Sequence, residues 1–295
     1  MFASEGRTRH AERFIGPLYA LPAVALVATF IAYPLGSLVY HSFTKWTGLA
    51  PPVFVGLRNY RLLIHDPLFA TALRNNLLFA ISVPVQVVGA LILAYLIHEE
   101  ILGWRVFRST FFLPAVFSIV VVGVLTQVSL QYHGPLNAAL GAVGLGFLKV
   151  DWLANASSAI PMITLAVIWA NFGYSVLIYL AGMSTLDPQL AEAARVDGAG
   201  PWRILLRVYV PNLRRVLELV LVINTIVAFA SMLTYVYTIT HGGPGFSTYS
   251  TEYFIYDTAF TFRQLGYASA MGVVLTLILL TFGILQIRVM TRGAE

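Results

Sequence analysis

Residues 186–211 read LDPQLAEAARVDGAGPWRILLRVYVP. Asp187 is a good N-cap, and Pro188 suits the first helical position, where no N–H is needed. Gln189 to Asp197 then holds good helix formers, Val196 excepted, and Gly198 stops the helix as a C′ residue does. Gly200 and Pro201 start a second short helix carrying Trp202, Arg203 and Arg207, and Pro211 restarts the chain. A helix of about ten residues is too short to be stable alone in water, so it must dock on something. Two readings stay open from the residues alone: a surface helix packed on its own domain, or a docking helix for a partner. Its free face offers Glu192 and Arg195, with Ala193 and Ala194 small enough for close approach.

The flanks on either side are far more apolar. The 295 residues are 58% hydrophobic and 11% charged, with mean hydropathy +0.79, and the charges cluster between long uncharged runs. A soluble domain carries about 25% charged residues. The pattern is that of an all-α integral membrane protein, since about 20 apolar residues cross the hydrocarbon core as a helix. Six spans are expected, at roughly 16–40, 76–97, 111–131, 160–183, 217–239 and 266–287. The first follows Arg7, Arg9 and Arg13 like a signal peptide, but nothing is charged from Phe14 to Thr44. That is too long for a signal h-region and reads as an uncleaved anchor. With the N-terminus inside, inner segments hold twelve Lys/Arg and outer segments six, so N-in/C-in is expected and residues 184–216 face the cytoplasm. The expected organisation is an N-terminal cytoplasmic segment 1–15, one six-helix transmembrane domain 16–287 with the loop 184–216, and a cytoplasmic tail 288–295. The chain is expected to cross its membrane several times.

Other chemistry is weakly represented. The net charge of +5 has no basic face with interleaved aromatics, so no nucleic acid is expected. There is no cysteine, the six histidines lack ligand spacing, and no metal or catalytic residue is assigned. There is no Walker A sequence, HExxH or GxSxG. Glu99 and Glu100 are expected on a solvated face, and Glu218, next to Arg214 and Arg215, in an ion pair or snorkelling at the interface rather than in a proton relay. Ala268 and Gly272 form a small-xxx-small pair for close helix packing, within the chain or against a partner. Polar groups inside spans face a partner or a cavity. Asn171 and Tyr174 share one helix face, and Asn224, Ala228, Ser231 and Tyr235 form one stripe on the fifth span. Amides, hydroxyls and aromatic rings can line a path for a polar substrate. Asn171, Tyr174, Asn224, Ser231 and Tyr235 are therefore the substrate-pathway candidates, with Gln127, Ser129 and Trp169 weaker; interhelical hydrogen bonding is the competing use.

Glu192-Ala193-Ala194, three residues, Gly198, nine residues, then Val208-x-Val210-Pro211 resembles the EAA loop of ABC importer permeases, departing only by Val at both aliphatic positions. VGLRNY (55–60), DPLF (66–69), HGPLNAAL (133–140), THGGPGFST (240–248, with His241 where Gly is common), IYDTAF (255–260) and GYASAMGVV (266–274) are similar to segments of the binding-protein-dependent sugar importer permeases. The nearest type is the first permease of the maltose and glycerol-3-phosphate systems. The resemblance implies the type I importer permease fold, with 184–216 as its coupling loop. Glu192, Ala193, Ala194, Arg195, Asp197 and Gly198 would couple to an ABC ATPase, with Glu192 as the charged contact. It further implies a second EAA-bearing permease in a heterodimer, two ATPase subunits that bind ATP and Mg, and an extracytoplasmic solute-binding protein. This chain itself would need no cofactor. A stand-alone secondary transporter is the other class, disfavoured by the scarcity of intramembrane charge. A membrane enzyme lacks a carboxylate or His cluster. A permease for glycerol-3-phosphate or a glycerophosphodiester stays open.

Overall fold

The computed structural model describes residues 19–292. The segment 1–15, the start of the first expected span and the last three residues of the tail lie outside the described residues. The chain runs as α1 (Tyr19–Ser42), strands β1 (Thr44–Lys45) and β2 (Val53–Phe54), α2 (Arg58–Ile64), and α3 (Pro67–His98). Then come α4 (Trp104–Val116), α5 (Ile119–Leu130), α6 (Pro135–Ala142), α7 (Ala156–Met183), α8 (Pro188–Val196) and α9 (Pro201–Ile204). Last are α10 (Arg214–Ala230), α11 (Met232–Ile239), α12 (Thr251–Tyr256) and α13 (Leu265–Arg292).

Among the described residues, four helices are long and apolar enough to cross a membrane: α1, α3, α7 and α13, the last judged over Leu265–Arg288. The third and fifth expected spans are each a bent pair, α4 with α5 at 106° and α10 with α11 at 48°, so the count reaches six only if each pair is one span. The expectation of an unbroken helix over 111–131 is thus corrected. Pro114 lacks the N–H of a helix interior, Phe117 is extended, and Ser118 starts a new helix by accepting from the Val121 N–H at 3.4 Å. The second span begins earlier than expected. Asp66 caps Pro67 at the first turn, accepting from the N–H groups of Leu68 and Phe69. This adds a charged outer section, including Arg74, to the apolar one.

Two compact units are present. The first contains residues 19–65 and 258–276. Its small hairpin pairs Thr44 with Phe54 and Lys45 with Val53. Buried Asn59, from VGLRNY, donates to the carbonyls of Ser42 and Thr44, both at 2.9 Å. Gly272 lies where a Cβ would come within 3.3 Å of Leu38, so the small residue serves packing inside this chain. The apolar length of α1 has no buried residue.

The second unit contains residues 66–257 and 277 onward. Its main core joins Ala90, Ala94 and Tyr95 of α3, Val176, Tyr179 and Met183 of α7, and Val220 of α10 to Ala191, Ile204, Leu205 and Tyr209 of the 184–216 loop. Small residues permit this density. A Cβ on Gly173 would sit 2.4 Å from the Phe111 carbonyl oxygen, and one on Gly123 would overlap Thr238. Gly242, in THGGPGFST, has φ +81° and its missing Cβ would strike Tyr249. That external turn is held by buried Asn75, which donates to the carbonyls of Ser247 and Tyr249 at 2.8 and 2.9 Å.

Candidate functional site

On the side that the Lys/Arg bias assigns to the cytoplasm, α8 is built as its sequence suggests. Asp187 accepts from the Gln189 N–H at 3.0 Å. At the other end Gly198 has φ +78°. The Ala199 N–H reaches back to the Ala194 carbonyl and the Gly198 N–H to that of Arg195, at 2.9 and 3.0 Å. These two bonds are a Schellman closure, which only a left-handed residue at C′ allows. Ala191 is buried in the core below and Ala194 is half-buried, so the helix stands on that edge.

The outer face carries Glu192, Ala193, Val196, Asp197 and Gly198, all exposed. Val196 is 88% exposed, and Trp202 and Leu206 of the following segment are also open. These exposed apolar side chains lie in the same loop as the exposed Glu192 carboxylate. Sequence reasoning treated Val196 only as a weak helix former and did not separate Trp202 or Leu206; their place in a charged, water-facing loop was the available signal. Arg195 is exposed as well, with an ion-pair partner at the end of α3. Its Nη2 donates to Oε2 of Glu99, at the C-terminal end of α3. Glu99 is therefore a tie between α3 and α8, where a solvated face was expected. Beside it lies a cleft of about 550 Å³ bordered by Glu99, Asp187, Glu192, Arg195 and Tyr209. Burial and the nearby Glu99 charge both raise the Tyr209 hydroxyl above its usual range. Glu218 pairs with Arg214 at 3.1 Å.

Within the spans, the polar candidates divide. The Asn171 amide donates to the Tyr235 hydroxyl at 3.0 Å. The Tyr174 hydroxyl donates to the Ala115 carbonyl at 2.6 Å, one of the groups freed by the break between α4 and α5. Two neighbouring side chains of α7 thus reach the two broken spans. Asn171 is half-buried and Tyr174 exposed. Asn224 is buried and donates to Ser175 Oγ at 3.0 Å, an interhelical clasp between α10 and α7. Tyr235 is fully buried. The break at Ser231 interrupts the expected stripe, and Ser231 itself is half-buried. Ser129 and Trp169 do meet, lining a cavity of about 450 Å³ with Thr126, Leu136 and Met162; Gln127 is not among its lining residues. Among the described residues no three His, Asp or Glu side chains gather as a metal site.

Solved structures agree on the fold. A chain of a bacterial ABC transporter involved in import of the acidic polysaccharide alginate superposes with TM-score 0.81, at 22% identity, over 98% of this chain and 100% of that one. Among curated proteins, the probable ABC transporter permease protein YurN of Bacillus subtilis is 34% identical, covering 96% of this chain and 98% of its own. The lactose transport system permease protein LacF of Rhizobium radiobacter is 32% identical over 92% of each. Residues 63–292 match the family described as binding-protein-dependent transport system inner membrane component. With that match spanning most of the folded chain, the protein belongs to the binding-protein-dependent inner membrane transport components, a multi-pass membrane permease rather than an enzyme.

Proposed function

We propose that this chain is the permease subunit of an ATP-driven importer for a carbohydrate, an oligosaccharide or related sugar, and forms half of the translocation pathway. The observation that carries the reading is α8: a helix closed at both ends, fastened to α3 through Arg195 and Glu99, with Glu192, Ala193 and Val196 left open. Such a helix suits a cleft in a separate ABC ATPase, with Glu192 supplying a charge-assisted contact and Val196 and Trp202 the apolar part. Two ATPase subunits would bind ATP and Mg. A second permease of the same kind would complete the pathway, and an extracytoplasmic binding protein would deliver the cargo. The carbohydrate assignment draws on relatives described as permeases for multiple sugars, lactose and diacetylchitobiose, and on the hydroxyl- and amide-bearing face of α7.

The test is sugar uptake by cells carrying Glu192→Ala together with Gly198→Asp. Uptake is expected to vanish while the protein still reaches the membrane, because the variant removes the outward charge and places a Cβ at φ +78°. Normal uptake would sink the coupling role of α8. A tagged pull-down from native membranes in mild detergent checks the assembly. An ATPase and a second permease are expected in stoichiometric amounts, and the chain coming down alone would overturn the reading.

A further inference from the structure

The fifth span breaks at Ser231, whose backbone leaves the helical region at φ −125°, ψ 5°. The last regular bond before the break runs from the Ser231 N–H to the Val227 carbonyl at 3.2 Å. In an unbroken helix the next bond would join the Met232 N–H to the Ala228 carbonyl. Both residues are fully buried, and a buried backbone group without a partner is costly in an apolar surround. Two side chains fill the place of that bond. Asn76 of α3 points its amide Nδ2 at the Ala228 carbonyl, 3.4 Å away, and at both carboxylate oxygens of Glu252, at 3.3 and 3.2 Å. The backbone N–H of Met232 faces the same carboxylate, as do the Ser250 side chain and the N–H of Glu252 itself. The Oδ1 of Asn76 is occupied too, accepting from the Thr251 N–H at 2.7 Å.

The freed acceptor of one half-helix is thus met by Asn76, and the freed donor of the other lies beside the Glu252 carboxylate that Asn76 holds. Side chains inserted into the i→i−4 ladder are a recognised cause of sharp kinks. Asn76 is fully buried, and Glu252, on α12 in the connection to the last span, is half-buried, with desolvation pushing its carboxyl up to about 7.

We propose that Asn76 and Glu252 are positioning residues of the translocation step. They hold the fifth span open at Ser231 and so fix the direction of α11, on which Tyr235 meets Asn171. What the break is for rests on the transport reading above; what holds it does not.

The chain has no cysteine, so two can be introduced at Leu219→Cys and Tyr237→Cys, both exposed and on opposite sides of the break, and spin-labelled in the assembled complex. Eighteen residues of straight helix span about 27 Å, and a bend of the observed size shortens this by about 2 Å. In the variant Asn76→Leu with Glu252→Leu the distance is expected to lengthen by about that amount, with uptake lost. An unchanged distance would overturn the proposal. Glu252→Gln keeps an acceptor for the Met232 N–H and covers the case in which the double variant does not assemble. It is expected to keep the bent distance and retain uptake, and a Gln variant that straightens or loses uptake would equally overturn the proposal. The distance reads the break whatever the cargo is. Failure of the unmodified chain to take up sugars would therefore count against the carbohydrate reading and not against the insert.

Discussion

His241 occupies φ +49° in the external turn, a left-handed conformation that costs a residue with a Cβ about 1–2 kcal/mol. Its ring lies edge-on to Tyr237 at 5.3 Å, which offsets part of that cost. His241→Gly is expected to be neutral or stabilising, by up to about 1 kcal/mol. A thermal midpoint in detergent would show it, and a clear fall would mean the ring contact outweighs the backbone. Glu252 makes a pH prediction. Burial raises its carboxyl from 4.5 to about 7, so the folded state binds the proton more tightly than the unfolded chain does. The contribution to stability is complete below about pH 4.5 and is lost as pH rises through 7, a change on the order of 3 kcal/mol. The midpoint of the unmodified protein should fall between pH 5 and 8. That of Glu252→Gln should stay flat through this window, and a parallel fall in both would assign the slope elsewhere. Nothing local in the sequence signals this carboxylate, because Asn76 is 176 residues away.

At the scale of elements, α8 was legible because its signals are chemical and local: Asp187 as cap, Pro188 at the first turn, Gly198 beyond the last. The breaks were not. In the run from Ser109 to Leu148 no residue is charged, so hydropathy carries no period to mark where one helix stops. Pro114 alone cannot distinguish a gentle kink from the turn of 106°. Which polar residues face a cavity was equally hidden. Asn224 and Asn171 both read as intramembrane amides, yet one clasps Ser175 in the core and the other stands half-buried beside Tyr235. The tie between Arg195 and Glu99 is partly exposed, so it contributes at most about 1 kcal/mol to stability. Its expected importance is in orientation. Arg195→Glu should reduce uptake by about tenfold, and adding Glu99→Arg should restore most of it, the signature of a coupled pair in a double-mutant cycle. Equal defects in the single and double variants would rule the tie out.

Across the whole molecule, one helix carries both features. Near its outer end α3 presents Asn76 to the break in the fifth span, and at its inner end it presents Glu99 to α8. The two residues are about 35 Å apart along the axis, joined by helix throughout except for a tightened turn at Ala80 and Ile81. A displacement applied at α8 need not pass through a loop to be felt at Ser231. On the coupling reading proposed for α8 it would travel along a single stiff shaft, as a push-rod works a valve at its far end, and its fidelity would depend on that one turn staying tight. Ala80→Gly with Ile81→Gly should therefore make the shaft slip. ATP hydrolysis by the complex would continue while uptake falls away, and strict proportionality between the two would show that the stroke takes another route.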